Sequence, residues 1–367
     1  MKILYVVKRY GQVGGMERYV WETTRELAEF GHQVEVVCER SHTEIPKNVL
    51  VHELGEIAQR PRWLSHLRFG WRVASWLKKN PHDDFVIHSH ERINVHDITT
   101  FHSTPFANVL DKPFWKLISL RVAINLYLEW RELATAKIIV PNSSAIRSQL
   151  ANYYPAFQDK LAFPITPGVD MTPTRKFSPA PAKGGIIAFV GCEWKRKGLP
   201  LAVKIVAELR RSRPDLELWV IGPKAEDVQH LFETWNGGYR LLDWQKDTSY
   251  LHKIDALIHP ASAEAYGMVI SEAMSSRIPV VVSSACGAAK DVQAQSGTVV
   301  SLDAALSNWV DALQIQLQRT DLPPPFTRSW KEIAREYKRV YLQCISMKNA
   351  NVKNGRSQKS HLINSNH

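Results

Sequence analysis

Apolar and polar positions divide this chain into short apolar runs that alternate with amphipathic stretches. MKILYVV at the start is an unbroken apolar run, the pattern of a strand buried on both faces. A glycine-bearing loop, GQVGGMER, follows it; WETTRELAEFGH then repeats its apolar positions at helical spacing as far as Gly31, and VEVVCE reads as the next strand. Strand, glycine loop, helix and strand make a βαβ unit, which commits the N-terminal half to a mostly parallel, doubly wound sheet. FVIHSH (85–90) and IIVPNS (138–143) extend it.

The proline-rich stretch from Met171 to Lys183 has no apolar period and reads as a linker. A second alternation begins beyond it. It runs through strand GIIAFVG (185–191), helix LPLAVKIVAELRRS, strand LELWVIG, a helix near Glu226 to Thr234, strand DALIHP, a helix from Gly267 and strand PVVVSS. The fold predicted is therefore α/β, with two Rossmann-like doubly wound domains over residues 1–170 and 171–328. No repeat of fixed period relates them. After PPPF (323–326), WKEIAREYKRVYLQCI has the pattern of an amphipathic helix over 329–346. Residues 347–367 carry Lys348, Lys353, Arg356 and Lys359 and no acidic residue, the composition of a basic, unstructured tail.

Composition sharpens this picture at three points. A chain of 367 residues exceeds what one hydrophobic core usually organises, and its 44% apolar and 23% charged content excludes global disorder. The net charge of +11 favours phosphate-rich partners: a nucleotide, an anionic lipid or a nucleic acid. Cys38, Cys192, Cys286 and Cys344 stand far apart with no C-x-x-C pair, which argues against a zinc cluster and a disulfide framework and points to the reducing cytoplasm. The apolar run from Ile3 to Val7 meets Lys8 and Arg9 at once, too short for a signal peptide. No run of about 18 apolar residues spans a bilayer, so any membrane contact is expected to be peripheral.

The strongest chemical signal is HPASAEAYGMVISEAM (259–274). A strand end is followed by Glu264, by Gly267 at the start of a helix, and by Glu272 eight residues after the first glutamate. Backbone amides over Ala265, Tyr266, Gly267, Met268 and Val269 then sit where a helix N-terminus offers unpaired N–H groups and the positive end of its dipole to a diphosphate. A hydrolytic carboxylate pair is excluded here. Such pairs stand about 5 to 9.5 Å apart, whereas eight helical residues rise roughly 12 Å. Glu264 is instead assigned to the sugar and Glu272 to ribose hydroxyls.

E-x7-E after a strand ending in His-Pro resembles glycosyltransferase family 4, retaining enzymes of the GT-B fold in which two Rossmann-like domains face a central cleft. The likeness spans most of the chain. GIIAFVG followed by CEWKRKGLPLAV resembles that family's phosphate-binding segment, with Gly191 ending the strand and Arg196 and Lys197 as the cations that would neutralise the donor diphosphate. Cys192 stands where many members carry arginine, and the GCEWKRKG form is similar to lipopolysaccharide core glucosyltransferases.

In the N-terminal half, Gly14 and Gly15 would let backbone approach a phosphate or sugar closely. Their G-x-x-G-G spacing is not the nicotinamide-binding fingerprint. His102 in TTFHSTP resembles the family's cleft histidine beside the transferring sugar. His88, His90 and His96 lack the carboxylate spacing of a catalytic metal set, so no metal and no cofactor are expected. FPITPGVD (163–170) resembles the segment before the interdomain linker, and by the same resemblance the C-terminal helix returns to the first domain.

Residues 60–79 and 112–131 each mix Trp, Leu and Phe with Arg or Lys at roughly helical spacing. They read either as helices packed on the sheet or as a surface that docks on an anionic leaflet beside a lipid-linked acceptor. The resemblance implies a UDP-hexose donor, with UDP-glucose foremost and GDP-mannose as the alternative, and lipopolysaccharide core as the acceptor. Rival readings are an epimerase or phosphorylase on the same fold, a non-catalytic sugar-binding relative, and a basic nucleic-acid-binding protein, for which no docking module is found.

Overall fold

A computed structural model describes residues 1–170, 178–245 and 248–364. Of the expected linker, residues 171–177 lie outside the described residues. The chain divides into two compact units: Met1–Thr166 with the segment from Trp330 onward, and Pro167–Ser329.

Unit 1 opens with β1 (Lys2–Val6), β2 (Arg9–Tyr10), α1 (Gly15–Glu29), β3 (Gln33–Cys38), β4 (Arg40–Ser41) and β5 (Val49–Glu53). It continues through α2 (Arg62–Lys79), β6 (Val86–Ser89), β7 (Ile98–Phe101), α3 (Leu120–Thr135), β8 (Ile138–Pro141) and α4 (Ser144–Tyr153). The six-stranded sheet has the order β5-β3-β1-β6-β7-β8 and is parallel throughout. Strand β1 has both faces covered, and Ile3, Leu4, Tyr5 and Val6 are fully buried, which is why its sequence is continuously apolar.

Unit 2 contains β9 (Gly184–Val190), α5 (Leu199–Leu209), β10 (Asp215–Gly222), α6 (Ala225–Val228), β11 (Tyr239–Asp243) and β12 (Ala256–His259). It is completed by α7 (Met268–Ser275), β13 (Val280–Ser283), β14 (Gly297–Val300) and α8 (Leu306–Leu317). Its parallel sheet has the order β11-β10-β9-β12-β13-β14. Numbered within each unit, both sheets read 3-2-1-4-5-6, the dinucleotide-fold order. Its connections reverse direction between the first and fourth strands, and ligands bind beyond the carboxyl ends of strands at that point. For unit 1 that point is β1 beside β6; for unit 2 it is β9 beside β12.

Two boundaries differ from the pattern-based expectation. The chain enters unit 2 at Pro167, a few residues before 171, because Val169 already bridges to Ser329 and its N–H donates to the Arg328 carbonyl at 2.8 Å. The C-terminal helix α9 extends over Trp330–Asn364, so residues 347–364, expected as an unstructured tail, continue it. No proline interrupts that stretch, and its polarity, which suggested disorder, is equally compatible with a helix. The first part of α9 is built into unit 1. Trp330, Ile333, Ala334, Tyr337, Tyr341 and Cys344 recur at helical spacing and are buried.

No helix among the described residues is long and apolar enough to cross a membrane. The four cysteines are free, with Cys192 exposed and the others buried.

Candidate functional site

In unit 2 the switch point is built from two glycines that bring backbone close. β9 is followed by Gly191 (φ 144°), where a side chain would run into the aliphatic part of Lys197. The loop 192–197 then folds back to Gly198, which caps α5 at φ 83°; a Cβ there would lie 2.0 Å from the Pro260 carbonyl oxygen, at the end of β12. Only glycine combines that backbone conformation with that approach. The result sets Arg196 and Lys197 against the segment that follows β12.

There the groups named by the sequence meet. Arg196 Nη1 donates to the Ala263 carbonyl and lies 3.4 Å from Glu264 Oε2; Lys197 Nζ also lies 3.4 Å from that oxygen. Arg196 Nη2 is bonded to Glu193. His259, fully buried, has Nε2 at 3.7 Å from Glu264 Oε2, an electrostatic contact too long for a hydrogen bond. Burial opposes ionisation of Glu264. The His259 ring and the charges of Lys197 and Arg196 outweigh it, and the carboxyl is held down to about 2. Burial pushes the His259 imidazole below its usual range. Glu264 is thus a fixed carboxylate beside two cations, an acceptor for hydroxyl groups and not a proton donor.

Glu264 is positioned by backbone. Its N–H donates to the Ala285 carbonyl at 3.2 Å and its carbonyl accepts from Gly287 N–H at 3.0 Å. Gly267, at φ 98°, starts α7. Ala265 and Tyr266 are buried, and the Tyr266 hydroxyl meets Ser271 Oγ at 2.8 Å and donates to Asp291 at 3.0 Å; the Tyr266 side chain is therefore part of the frame. Met268 and Val269 form the first turn of α7, with half-buried Glu272 one turn further on. His259 was not singled out in the sequence beyond its place in the His-Pro strand end.

Gly14 and Gly15 belong to unit 1, as the N-cap and first residue of α1. Gly14 is extended (φ −168°) and faces the Glu17 carboxylate, which pairs with Arg9.

The unit 1 switch point opens into a cavity of about 950 Å³. His102 lines it and its Nε2 lies 2.7 Å from Nδ1 of His90. Burial pushes the His102 imidazole down to about 3. His88 and His96 are engaged elsewhere: His88 meets Tyr341 Oη at 2.9 Å and Thr100 Oγ1 at 2.8 Å, and His96 donates to the Glu132 carbonyl at 3.0 Å. Sequence reasoning missed the other wall residues. They include Arg60, Arg62, Arg92, Arg121, Glu91 and Glu132, which converge only through the fold.

The two buried carboxyls set a pH dependence. Burial raises Glu91 to about 7 and Glu132 to about 8, against an ordinary 4.5. Below the ordinary value folded and unfolded states both hold the proton, so the stabilisation is complete. As pH rises toward 8 the unfolded chain releases its protons while the folded one retains them, and stability is lost. Stability of unit 1 is therefore expected to fall between pH 5 and 8 by on the order of a few kcal/mol, and Glu132→Gln to flatten the fall. Denaturant melts at both pH values measure it; an equal fall in the variant would refute the assignment.

Residues 13–173 match the model of Glycosyltransferase Family 4, and residues 184–318 match that of Glycosyl transferases group 1; together they cover most of the chain. The chain is 23% identical to lipopolysaccharide glucosyltransferase WaaG of Escherichia coli (strain K12), over 92% of this chain and 94% of the relative. It is also 23% identical to a D-inositol 3-phosphate glycosyltransferase of Corynebacterium aurimucosum, over 92% and 93%. The crystal structure of WaaG superposes with a TM-score of 0.72 at 20% identity, covering 91% of this chain and 94% of that one. Anabaena HepE in complex with UDP-glucose superposes with a TM-score of 0.65 at 15% identity, covering 95% and 100%.

Proposed function

Because the chain belongs to the family 4 glycosyltransferases of the GT-B fold, we propose that it moves a hexose from a UDP-hexose, foremost UDP-glucose, to a glycan of the lipopolysaccharide core type with retention of configuration. The observation that carries the donor half is the cluster of Arg196, Lys197 and ionised Glu264 at the unit 2 switch point. Unit 1 is assigned the acceptor. UDP-glucose is favoured over GDP-mannose by the likeness to WaaG, named a glucosyltransferase, and to HepE, a fold neighbour crystallised with UDP-glucose.

The chemistry follows from electrostatics. Arg196 and Lys197 bind the diphosphate, and their hydrogen bonds strengthen as the leaving group gains charge. Glu264 orients sugar hydroxyls and Glu272 the ribose. With no carboxylate assigned as nucleophile, the acceptor hydroxyl attacks from the face that the diphosphate leaves. Neutral His102 offers a hydrogen bond to the transferring sugar.

The test is calorimetric titration with UDP, GDP and ADP. UDP is expected to bind, Glu272→Ala to weaken it by about tenfold, and the other two nucleotides to bind less well. Preference for GDP would move the donor to the mannose series, and binding of none of them would remove the donor assignment.

Attachment to the inner leaflet of the cytoplasmic membrane is the second element of the proposal. The twelve tryptophans divide between both expected roles: Trp219, Trp309 and Trp330 are buried, whereas Trp71, Trp115 and Trp130 are exposed. Phe114, Ile118 and Leu120 are also exposed, the last two at 77% each, too open to be counted as core. Helices α2 and α3, which carry or adjoin this apolar surface, pack together. Apolar side chains at such exposure, with Arg68 on α2, suit an anionic interface. Co-sedimentation with anionic vesicles is expected for the native chain and lost on Trp115→Ser with Ile118→Ser and Leu120→Ser; unchanged sedimentation of the triple variant would end this part.

A further inference from the structure

We propose that the acceptor carries a fixed negative charge, a phosphate or a carboxylate, and that Arg60, Arg62 and Arg121 of unit 1 hold it. The inference rests on the assignment of unit 1 to the acceptor and narrows the class of acceptor to an anionic sugar.

The charge balance of the cavity wall carries it. Four guanidinium groups line this single concavity. One is already answered, since Arg92 Nη2 donates to the buried carboxylate of Glu129 at 2.9 Å. Arg60, Arg62 and Arg121 have no carboxylate within 4.0 Å and no hydrogen-bond acceptor among the described residues. The carboxyls in the same wall do not compensate: Glu132 retains its proton near neutrality, and Glu91 is only partly ionised and already approached by the Lys8 amide and His66. His66 and His102 are neutral because burial pushes both down to about 3.

Helix α2 adds to the same sign. It begins at Arg62 with Pro61 as its N-cap, and Pro61, Arg62 and Trp63 all border the cavity, so the positive end of its dipole lies in the wall. Solvated surface cations are ordinary on a chain of net charge +11. These three differ in converging on one concavity from the starts of two helices, Arg60 and Arg62 at α2 and Arg121 in the first turn of α3. A neutral sugar would leave three exposed guanidiniums in the wall of one concavity without a counter-charge. A planar guanidinium fork matches the paired oxygens of a phosphate or carboxylate.

The test uses the full-length protein and three probes built on the same hexose ring, glucose, glucose 6-phosphate and glucuronate, titrated calorimetrically with UDP present at saturation. The expected result is binding of at least one anionic probe about tenfold or more tighter than glucose, with the preference abolished in Arg60→Gln with Arg62→Gln and Arg121→Gln. Response to glucose 6-phosphate alone selects a phosphate source; response to both selects any anion. Native hydrogen-exchange protection of β1, β6 and β7 in the triple variant verifies that unit 1 is folded, and unchanged UDP affinity that unit 2 is. Equal binding of all three probes, or an anion preference that survives in the triple variant, overturns the proposal. Failure of the underlying assignment looks different: anionic probes would bind and depend on the three arginines, yet block no transfer when added to a working glycosylation assay.

Discussion

Arg196→Ala with Lys197→Ala is expected to lower kcat/KM for glycosyl transfer by at least about a thousandfold, with unit 2 still folded. Removing one preorganised donor to a developing charge commonly costs about 10²–10³ in rate, and two donors that act on one diphosphate are less than additive. The geometry adds a second loss. Both cations lie 3.4 Å from Glu264 Oε2 and help to keep that carboxyl near 2, so their removal also raises it and loosens the fixed charge that orients the sugar. Lys197→Ala alone is expected to retain part of the rate, since Arg196 still contacts both Glu264 and the Ala263 carbonyl. Initial rates with labelled donor, alongside a thermal melt of each variant, give the answer. A double variant within tenfold of the native rate would show that the diphosphate is held elsewhere.

Ending the chain at Ser329 is expected to unfold unit 1. Helix α9 contributes Trp330, Ile333, Tyr337 and Tyr341 as buried side chains, each worth about 1.5–3 kcal/mol of burial, a sum comparable with the 5–15 kcal/mol that holds an ordinary domain together. The loss is polar as well. Tyr341 Oη meets Tyr5 Oη at 2.5 Å and His88 at 2.9 Å, and Tyr337 Oη meets Thr100 Oγ1 and accepts from Tyr19, both at 2.8 Å. Truncation would leave Tyr5, Tyr19, His88 and Thr100 as polar groups of the core without those partners. Hydrogen exchange should therefore lose protection in β1, β6 and β7 while β9, β12 and β13 retain theirs. Native protection of β1 in the truncated chain would refute this account of α9.

How much was legible differs between the two candidate sites. Arg196, Lys197, Gly191 and Glu264 lie close to strand ends, and a parallel strand followed by a loop and helix delivers its chemistry at its carboxyl end. Local spacing therefore named most of the unit 2 cluster. His259 escaped because a buried histidine at a strand end has the same local pattern whether it is packing or pressing on a carboxylate. Tyr266 was legible only through its backbone amide at the helix start; that its side chain braces the frame, with the hydroxyl engaged by Ser271 and Asp291, follows from the fold.

The unit 1 cavity was hardly legible. Arg60 and Arg121 are sixty-one residues apart, and their guanidiniums share a wall only because α2 and α3 pack together beside β6 and β7. Nor does residue type reveal that Glu91 and Glu132 hold protons near neutrality, since that follows from burial.

By itself, then, the order of apolar runs and amphipathic helices determined two parallel α/β units, because strand burial and helical period are written in neighbouring residues. The cations and carboxylate after β9 and β12 were determined in the same way. Tertiary structure decided which charges are answered and which are not: Glu264 ionised between two cations, Arg92 neutralised by Glu129, and Arg60, Arg62 and Arg121 left facing a cavity. The reason is physical. Charge state and pairing depend on distances of a few ångströms and on exclusion of water, and only the folded chain sets either one.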